Sequence, residues 1–168
     1  MIDTAPRWAD RAARLTVLTT VPSGLWRLAL GVGIPVGFSG DLKRMFDSHM
    51  PGWGTAYVIA LSALAEALAF LTVGLVRPWG RVAPRWLPWF GGRRIHPLAA
   101  VIPAALGAAA VTLITWSAAL GGWEHNMSNP DSPHGTAGVI MTLCYAPLLL
   151  WGPLLGAVTV DFLRRSRA

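Results

Sequence analysis

The chain has 168 residues, of which 54% are hydrophobic and only 13% are charged. Soluble domains carry about 25% charged residues, so this composition argues against a water-soluble domain and indicates a membrane protein. The formal net charge of +6 does not indicate a nucleic-acid partner, because the arginines cluster between apolar runs instead of covering one polar face. The single cysteine, Cys144, excludes an intrachain disulfide.

Four apolar runs are each long enough to cross a bilayer, which takes a helix of ~20 residues. They lie near residues 15–38, 54–76, 96–120 and 136–160. The first run contains PSGLWRLALGVGIPVGF and is the least regular, since it holds Pro22, Gly24 and Arg27. We therefore predict an all-α integral membrane four-helix bundle that forms a single domain over residues 1–168.

The basic residues predict how the four spans are oriented. Eleven of the fourteen lie in the N-terminal tail, the 77–95 loop and the C-terminal tail, whereas the other two loops hold only Lys43 and Arg44. Because short loops rich in Lys and Arg remain in the cytoplasm, both termini and the middle loop are predicted to be cytoplasmic. We expect a multi-pass protein of the inner (plasma) membrane. The first span lacks the pattern of a cleavable signal peptide.

The middle loop, RPWGRVAPRWLPWFGGRRIHP, alternates arginine with tryptophan and other apolar residues. Aromatic rings favour the headgroup level, and arginines meet anionic phosphates there. We therefore expect an interfacial elbow on anionic lipids at the cytoplasmic face, with a docking surface for a cytoplasmic partner as the alternative.

Small residues four apart predict close helix packing in the first two spans, at Gly33 with Gly37 and at Ala65 with Ala69. This packing lies either within one bundle or between copies, so a homo-oligomer or a larger membrane complex remains open.

Two charged residues lie deep within the apolar runs, Arg27 and Glu66. At ~1.5 Å per residue, Arg27 lies roughly 20 Å from the inner edge at Arg14, and Glu66 roughly 16 Å from the inner edge at Arg77. Because sequential spans are antiparallel neighbours, we expect an Arg27–Glu66 ion pair. Such a pair either locks the two helices together or lines a cavity; in a third possibility Arg27 remains unpaired and extends outward.

The fourth span contains two prolines, and each removes one helical donor. The carbonyl groups left without a helical partner are those of Leu143, four residues before Pro147, and Leu149, four residues before Pro153. Neighbouring side chains or water must then satisfy them. Tyr145 lies close to the first proline, and its hydroxyl group needs a partner, so we expect this side chain to face the bundle interior.

The outer loops hold three of the four histidines and several carboxylates, but no HxxxH or HExxH spacing. We expect solvated loops and no metal site. The chain also lacks a Walker A motif, a GxSxG motif and a dinucleotide fingerprint, and we expect no cofactor.

The segments WRLALGVG and SALAEALAFLTVGLVRP resemble the DoxX-type pattern, in which an arginine-containing first helix precedes a helix of the form AE-x-x-x-G-x-L-x-x-G. This resemblance covers residues 25–77 and implies a four-helix membrane protein, in some members linked to membrane redox chemistry. GLVRPWG, PRWLPWFGGRR and YAPLLLWGPLL look more like a group of small, uncharacterised actinobacterial four-helix membrane proteins. An excess of arginine over lysine, with many Ala, Gly and Pro, is typical of such genomes.

Three classes of function remain open. The first is a protein that binds or moves a small or lipophilic molecule, with Arg27, Glu66, Tyr145, Trp26 and Trp151 as candidate ligand-binding residues. The second is a membrane-embedded enzyme, such as a cyclase, an isomerase or a quinone-linked oxidoreductase, with Glu66 as the catalytic proton donor or acceptor on an apolar substrate. The third is an accessory subunit of a membrane complex.

Overall fold

The structure is a computed structural model that describes residues 5–77 and 96–167, and within these ranges all regular secondary structure is helical. The helices are α1 (Arg7–Gly31), α2 (Gly40–His49), α3 (Trp53–Gly74), α4 (Pro97–Ser117), α5 (Trp123–Ser128), α6 (Gly135–Tyr145) and α7 (Leu148–Arg167). A π-helical turn, Ala118–Gly122, joins α4 to α5. The all-α prediction is confirmed for the described residues. The expected interfacial elbow falls on residues 78–95, outside the described ranges.

Three helical segments are long and apolar enough to cross a membrane: Trp53–Gly74, Pro97–Ser128 and Gly135–Arg167. They correspond to the second, third and fourth predicted spans. Only 22%, 11% and 22% of their most apolar windows are buried within the chain. Soluble helices bury their apolar stripe, whereas these helices expose apolar side chains on most of their surface. Their exposure therefore supports a membrane protein.

The first predicted span differs most from the structure. Its helix runs from Arg7 to Gly31, and the chain then leaves helical geometry. Gly33 and Gly37 have φ angles of 84° and 100°, which other residues rarely adopt. The expectation that these two glycines form a helix-packing step is therefore wrong, because their conformational freedom is used in turns. In the other predicted helix-packing step, at Ala65 and Ala69 of the second span, Ala69 is fully buried.

Helices α1 and α7 form the centre of the molecule. Helix α1 packs against α3 on one side and against α7 on the other, and α7 packs against α4. The four long helices therefore follow the order α3, α1, α7, α4. The predicted kink at Pro147 is a full break, since α6 ends at Tyr145 and α7 begins at Leu148. Helix α6 also contacts α1.

At one end of the bundle, which we call the arginine end, basic side chains join the helices. Arg77 contacts Asp10 of α1 at 3.4 Å. Arg165 of α7 contacts Asp161 at 2.7 Å and donates a hydrogen bond to the Leu75 carbonyl oxygen at 3.2 Å. The apolar core lies towards this end, where α1, α4, α7 and the residue that follows α3 contribute buried side chains: Ala12, Ala13, Leu75, Val101, Ala108, Leu155, Val158 and Phe162.

The opposite end, which we call the cap, is formed by the two segments that connect the long helices there. It comprises residues 32–52, which include α2, and residues 118–134, which include α5. Asp131 joins the two segments, because its carboxylate accepts a hydrogen bond from the Asp41 amide at 2.8 Å and its carbonyl accepts one from Ser39 at 2.9 Å. The first outer loop is thus more structured than its sequence indicated.

Helix α1 has its polar face inside the bundle and an apolar face outside. The buried face carries small hydroxyl residues, and each hydroxyl bonds a carbonyl of the same helix: Thr16, Thr19, Thr20 and Ser23. The exposed face carries large apolar side chains: Leu15, Leu18, Val21 and Leu25. This arrangement is the reverse of a soluble helix, whose apolar face is buried.

Helix α4 satisfies the carbonyl that Pro153 leaves without a helical donor. The indole Nε1 of Trp116 donates a hydrogen bond to the Leu149 carbonyl oxygen at 3.2 Å. The expectation that a neighbouring group satisfies this carbonyl is confirmed.

Candidate functional site

The register between α1 and α3 is fixed by two contacts. A Cβ atom on Gly24 would lie 3.5 Å from Glu66 Oε1, so the Glu66 side chain lies against this glycine. Closer to the cap, Thr55 Oγ1 donates a hydrogen bond to the Gly31 carbonyl oxygen at 2.6 Å. The two helices are antiparallel between these contacts, and each glycine allows a close approach of α3.

This register places Arg27 level with Ser62. Arg27 lies about midway between the two glycines on α1, and Ser62 lies about midway between the two contact residues on α3. Ser62 is only 4% exposed, and it is four residues before Glu66, on the same face of its helix. Arg27 and Ser62 therefore lie at the same depth on neighbouring helices.

Arg27 is directed towards the space between α3 and the α6–α7 pair. Successive residues of a helix are rotated by about 100°, so Arg27 lies about 60° around α1 from Gly24, which faces α3. Trp26 lies about 100° further around α1 from Arg27, on the side away from α3, and its ring contacts Tyr145 of α6. The opposite side of α1 carries Leu25, which is 62% exposed. The arginine thus lies on the arc of α1 that other helices cover.

The Arg27 side chain has a buried nitrogen without a partner. Its Nε atom is buried and has no hydrogen-bond partner among the described residues. The predicted ion pair is also absent, because none of the ion pairs between described residues involves Arg27 or Glu66. The Glu66 carboxylate lies opposite Gly24, one turn nearer the arginine end than the Arg27 backbone. The ion-pair prediction is therefore not supported by the structure.

An aromatic cluster covers the cap side of Arg27. The Trp26 ring makes edge-to-face contacts with Tyr145 at 5.5 Å and with Phe38 at 5.9 Å between centroids. Tyr145 also packs on Trp123 at 5.7 Å, and Phe38 packs on Phe46 of α2 at 4.8 Å. These rings connect the end of α1 to both segments of the cap and shield its interior from water.

Tyr145 lies among these rings. Its side chain is half-buried and faces the bundle interior, as the sequence predicted. The structure therefore brings Trp26 and Tyr145 together, and Trp26 is next to Arg27 in the chain.

Trp151 approaches the same region from α7. It lies seven residues before Val158 and so on the same side of that helix, and Val158 packs in the core with Ala12 and Ala13 of α1. The Trp26–Tyr145 contact fixes the register closer to the cap, so Trp151 lies level with the part of α1 around Thr20. Trp151 is 9% exposed, and its Nε1 has no hydrogen-bond partner among the described residues.

We call the region bounded by Arg27, Ser62, Glu66 and Trp151 the polar crevice. Three of these four residues follow from the sequence as candidates, whereas Ser62 was missed. Its spacing of four residues from Glu66 is a signal that the sequence contains. The unpaired state of the indole and of the hydroxyl group depends on neighbouring helices and has no sequence signal.

A separate cleft lies in the cap, between the end of α1 and α2. It is lined by Leu30, Phe38, Phe46 and Met50, with the Lys43–Asp47 ion pair at its rim. Its volume is about 60 Å³, far below the range of about 300–1,000 Å³ that drug-sized ligands occupy. None of the four residues of the polar crevice lines this cleft.

Within residues 5–77 and 96–167, no three His, Cys, Asp or Glu side chains are arranged to hold a metal ion. Comparison of the chain with protein-family models, with curated proteins and with solved structures finds no match. The resemblances to DoxX-like proteins and to small actinobacterial membrane proteins therefore stay predictions.

Proposed function

We propose that this protein is a multi-pass protein of the inner membrane that binds a lipophilic molecule with an anionic end in the polar crevice. The observation that carries the proposal is the buried Arg27 Nε, which has no partner among the described residues. Arginine remains charged in proteins, and an unpaired cation within a membrane helix is costly. The acidic end of a bound molecule supplies the hydrogen-bond acceptor that Arg27 Nε lacks among the described residues.

The proposal treats α1 as a fourth membrane span, in addition to the three segments identified by length and composition. The support is its outward apolar face and its inward hydroxyl face, together with its packing between α3 and α7. Under this proposal the bundle has four spans, and the arginine end, with both termini, faces the cytoplasm and its anionic lipids.

The topology is tested by labelling single cysteines in intact cells with a membrane-impermeant maleimide, in a Cys144→Ser background. We expect labelling at Asn126→Cys in the cap and none at Ala5→Cys near the arginine end. Labelling of Ala5→Cys in intact cells contradicts the orientation.

Ligand binding is tested with cis-parinaric acid, a fluorescent fatty acid, and purified protein stripped of lipid in detergent. We expect Arg27→Gln to weaken binding at least tenfold, because it removes the cation but keeps a polar side chain. Arg14→Gln is the matched control: this arginine is on the same helix, is 62% exposed and already pairs with Asp10 at 2.9 Å. Equal affinity of Arg27→Gln and wild type refutes the proposal.

Native mass spectrometry of protein purified from its own membranes identifies the natural ligand. We expect a lipid that is retained by wild type and lost in Arg27→Gln. If neither wild type nor the variant carries a lipid or binds the probe, the function as an accessory subunit replaces this proposal.

An enzymatic function is the second candidate, and the state of Glu66 favours it. Because this carboxyl group makes no ion pair with Arg27, it is free to donate a proton to an apolar substrate or accept one from it. Once mass spectrometry supplies a ligand, the wild type should convert it over time and Glu66→Gln should bind it without conversion. An unchanged ligand in the presence of wild type argues against this candidate.

A further inference from the structure

Ser62 differs from the buried hydroxyl residues of the neighbouring helix α1, although Thr72, further along α3, is also without a partner among the described residues. A serine or threonine in a helix can bond the carbonyl three or four residues earlier, and the buried hydroxyls of α1 do so at 2.7–2.9 Å. Ser62 is 4% exposed, yet its Oγ has no partner among the described residues. Its hydroxyl group is therefore directed away from its own helix while water is excluded.

Trp151 shows the same feature on the opposite wall. Its Nε1 is a donor only, and at 9% exposure it has no acceptor among the described residues. Trp116 on α4 shows how the chain satisfies an indole elsewhere, through the Leu149 carbonyl oxygen. Buried polar groups are normally hydrogen-bonded, so an unpaired donor points to a group that is present in the working protein.

These two donors and Arg27 come from three neighbouring helices. Ser62 is level with Arg27 on α3, and the Trp151 backbone faces α1 from α7 near Thr20, about two turns closer to the arginine end. Side chains lean towards the N-terminus of their own helix, so the Arg27 side chain and the Trp151 ring lean towards each other. Helices α3 and α7 make few contacts with each other, and these include the Arg165–Leu75 hydrogen bond at the arginine end. Beyond the arginine end, the donor-bearing helices α3 and α7 are thus held apart by α1.

From this arrangement we propose that the polar crevice binds the carboxylate of a single-chain lipid, with Ser62 and Trp151 as donors beside Arg27. This inference rests on the proposed function and names its ligand class. A carboxylate accepts at two oxygens and carries one negative charge. It thus matches one cation and two neutral donors, and its hydrocarbon chain leaves between α3 and α7 into the bilayer.

The single charge of Arg27 favours a singly charged headgroup. A phosphate monoester carries about one and a half to two negative charges near neutral pH, which is more than one arginine balances. The Glu66 carboxyl group, one turn away in depth against Gly24, adds no positive charge. Ester or alcohol lipids bring no counter-charge for Arg27. We therefore expect the crevice to bind a free fatty acid more tightly than a phosphate lipid or an uncharged ester or alcohol lipid.

The ligand class is tested by competition against cis-parinaric acid bound to purified wild-type protein. Oleic acid should displace the probe, whereas methyl oleate and oleoyl lysophosphatidic acid should require at least tenfold higher concentrations. Displacement by lysophosphatidic acid at the same concentration as oleic acid overturns the assignment of a carboxylate. Displacement by methyl oleate at that concentration does the same, because it shows binding by the hydrocarbon chain alone.

The roles of the two donors are tested by paired variants. Ser62→Ala should weaken probe binding about three- to tenfold, the loss of about one hydrogen bond. Ser23→Ala, whose hydroxyl bonds the Thr20 carbonyl, should bind as wild type. Trp151→Phe should weaken binding by a similar factor and Trp116→Phe should not. Melting temperatures of Ser62→Ala and Trp151→Phe within a few degrees of wild type exclude misfolding as the cause.

The two proposals fail in different ways. If Arg27→Gln abolishes binding while Ser62→Ala and Trp151→Phe bind as tightly as wild type, ordered water satisfies the two donors, and only the further inference is wrong. If Arg27→Gln itself binds as wild type, the proposed function is wrong and this inference falls with it.

Discussion

The replacement of Gly152 by alanine probes the tightest helix contact in the structure. Gly152 of α7 lies directly against α4, where a Cβ atom would be 2.8 Å from the Thr112 amide nitrogen and 2.9 Å from the Ala108 carbonyl oxygen. Both are backbone atoms, which cannot rotate away as a side chain can. Ordinary van der Waals contact begins at 3.4 Å, so α4 and α7 must separate by about 0.6 Å.

Two opposing terms set the expected stability change. Alanine has a higher helix propensity than glycine by about 1 kcal/mol. Overpacking costs about 1–3 kcal/mol, and a gap of this width weakens the dispersion contacts along the whole interface. We expect Gly152→Ala to lower the free energy of unfolding by up to about 2 kcal/mol.

Gly156 provides the matched control, one turn further along the same helix. A Cβ atom there would lie 3.9 Å from Ala108 Cβ, an ordinary contact. Gly156→Ala should therefore keep the propensity gain and stabilise the protein by up to about 1 kcal/mol. Thermal unfolding in detergent, followed by tryptophan fluorescence, should separate the two variants by about 2–12 °C, since they differ by the overpacking cost. A melting temperature of Gly152→Ala equal to or above that of Gly156→Ala refutes the packing argument.

Two further predictions concern the broken fourth span and the cap. Trp116→Phe removes the donor to the Leu149 carbonyl and should lower the free energy of unfolding by about 0.5–1.5 kcal/mol; Pro153→Ala supplies a helical donor to the same carbonyl and should reduce that loss. Gly40→Ala should release the two cap segments from each other, since Gly40 has a φ of 48° and its added Cβ would overlap the Asp131 carboxylate. Faster hydrogen exchange in α2, with little change in melting temperature, is the expected result.

The outcomes that contradict these two predictions are specific. If Trp116→Phe lowers the free energy of unfolding equally with and without Pro153→Ala, its effect does not come from the lost hydrogen bond to the Leu149 carbonyl. For the cap, Gly121→Ala is the control, because no atom lies within 4 Å of its added Cβ and its φ is not left-handed. Similar exchange in the two glycine variants refutes the role of Gly40.

The hydrophobic pattern alone was enough to predict the helices that expose apolar surface. The second predicted span, 54–76, agrees with α3 within two residues, because lipid-exposed helices need only length and hydropathy. The third was predicted to end near residue 120, but the helix continues through a π-turn to Ser128. In the fourth, Pro147 marked the break in advance, since it can neither donate a hydrogen bond nor avoid a clash within a helix.

The first span shows where pattern reasoning failed. Gly33 and Gly37 are apolar and spaced as in packed membrane helices, yet they form turns that lead to α2. Nothing local distinguishes a glycine that permits helix contact from one that permits a positive φ, because both depend on the absence of a Cβ atom. The same ambiguity hid α2 within a stretch that looked like an outer loop.

Arg27 and Glu66 show most clearly which features the sequence determines and which depend on tertiary packing. Counting residues along two antiparallel helices placed Arg27 and Glu66 at similar depth, which the Gly24 contact bears out to about one turn. The count carries no information on rotation about each helix axis or on the final register between helices. Those are set by the close approach of α3 at Gly24 and Gly31 and by Trp26 against α6. Sequence alone therefore identified the charged residues, and tertiary packing decided that Arg27 is left without a protein partner.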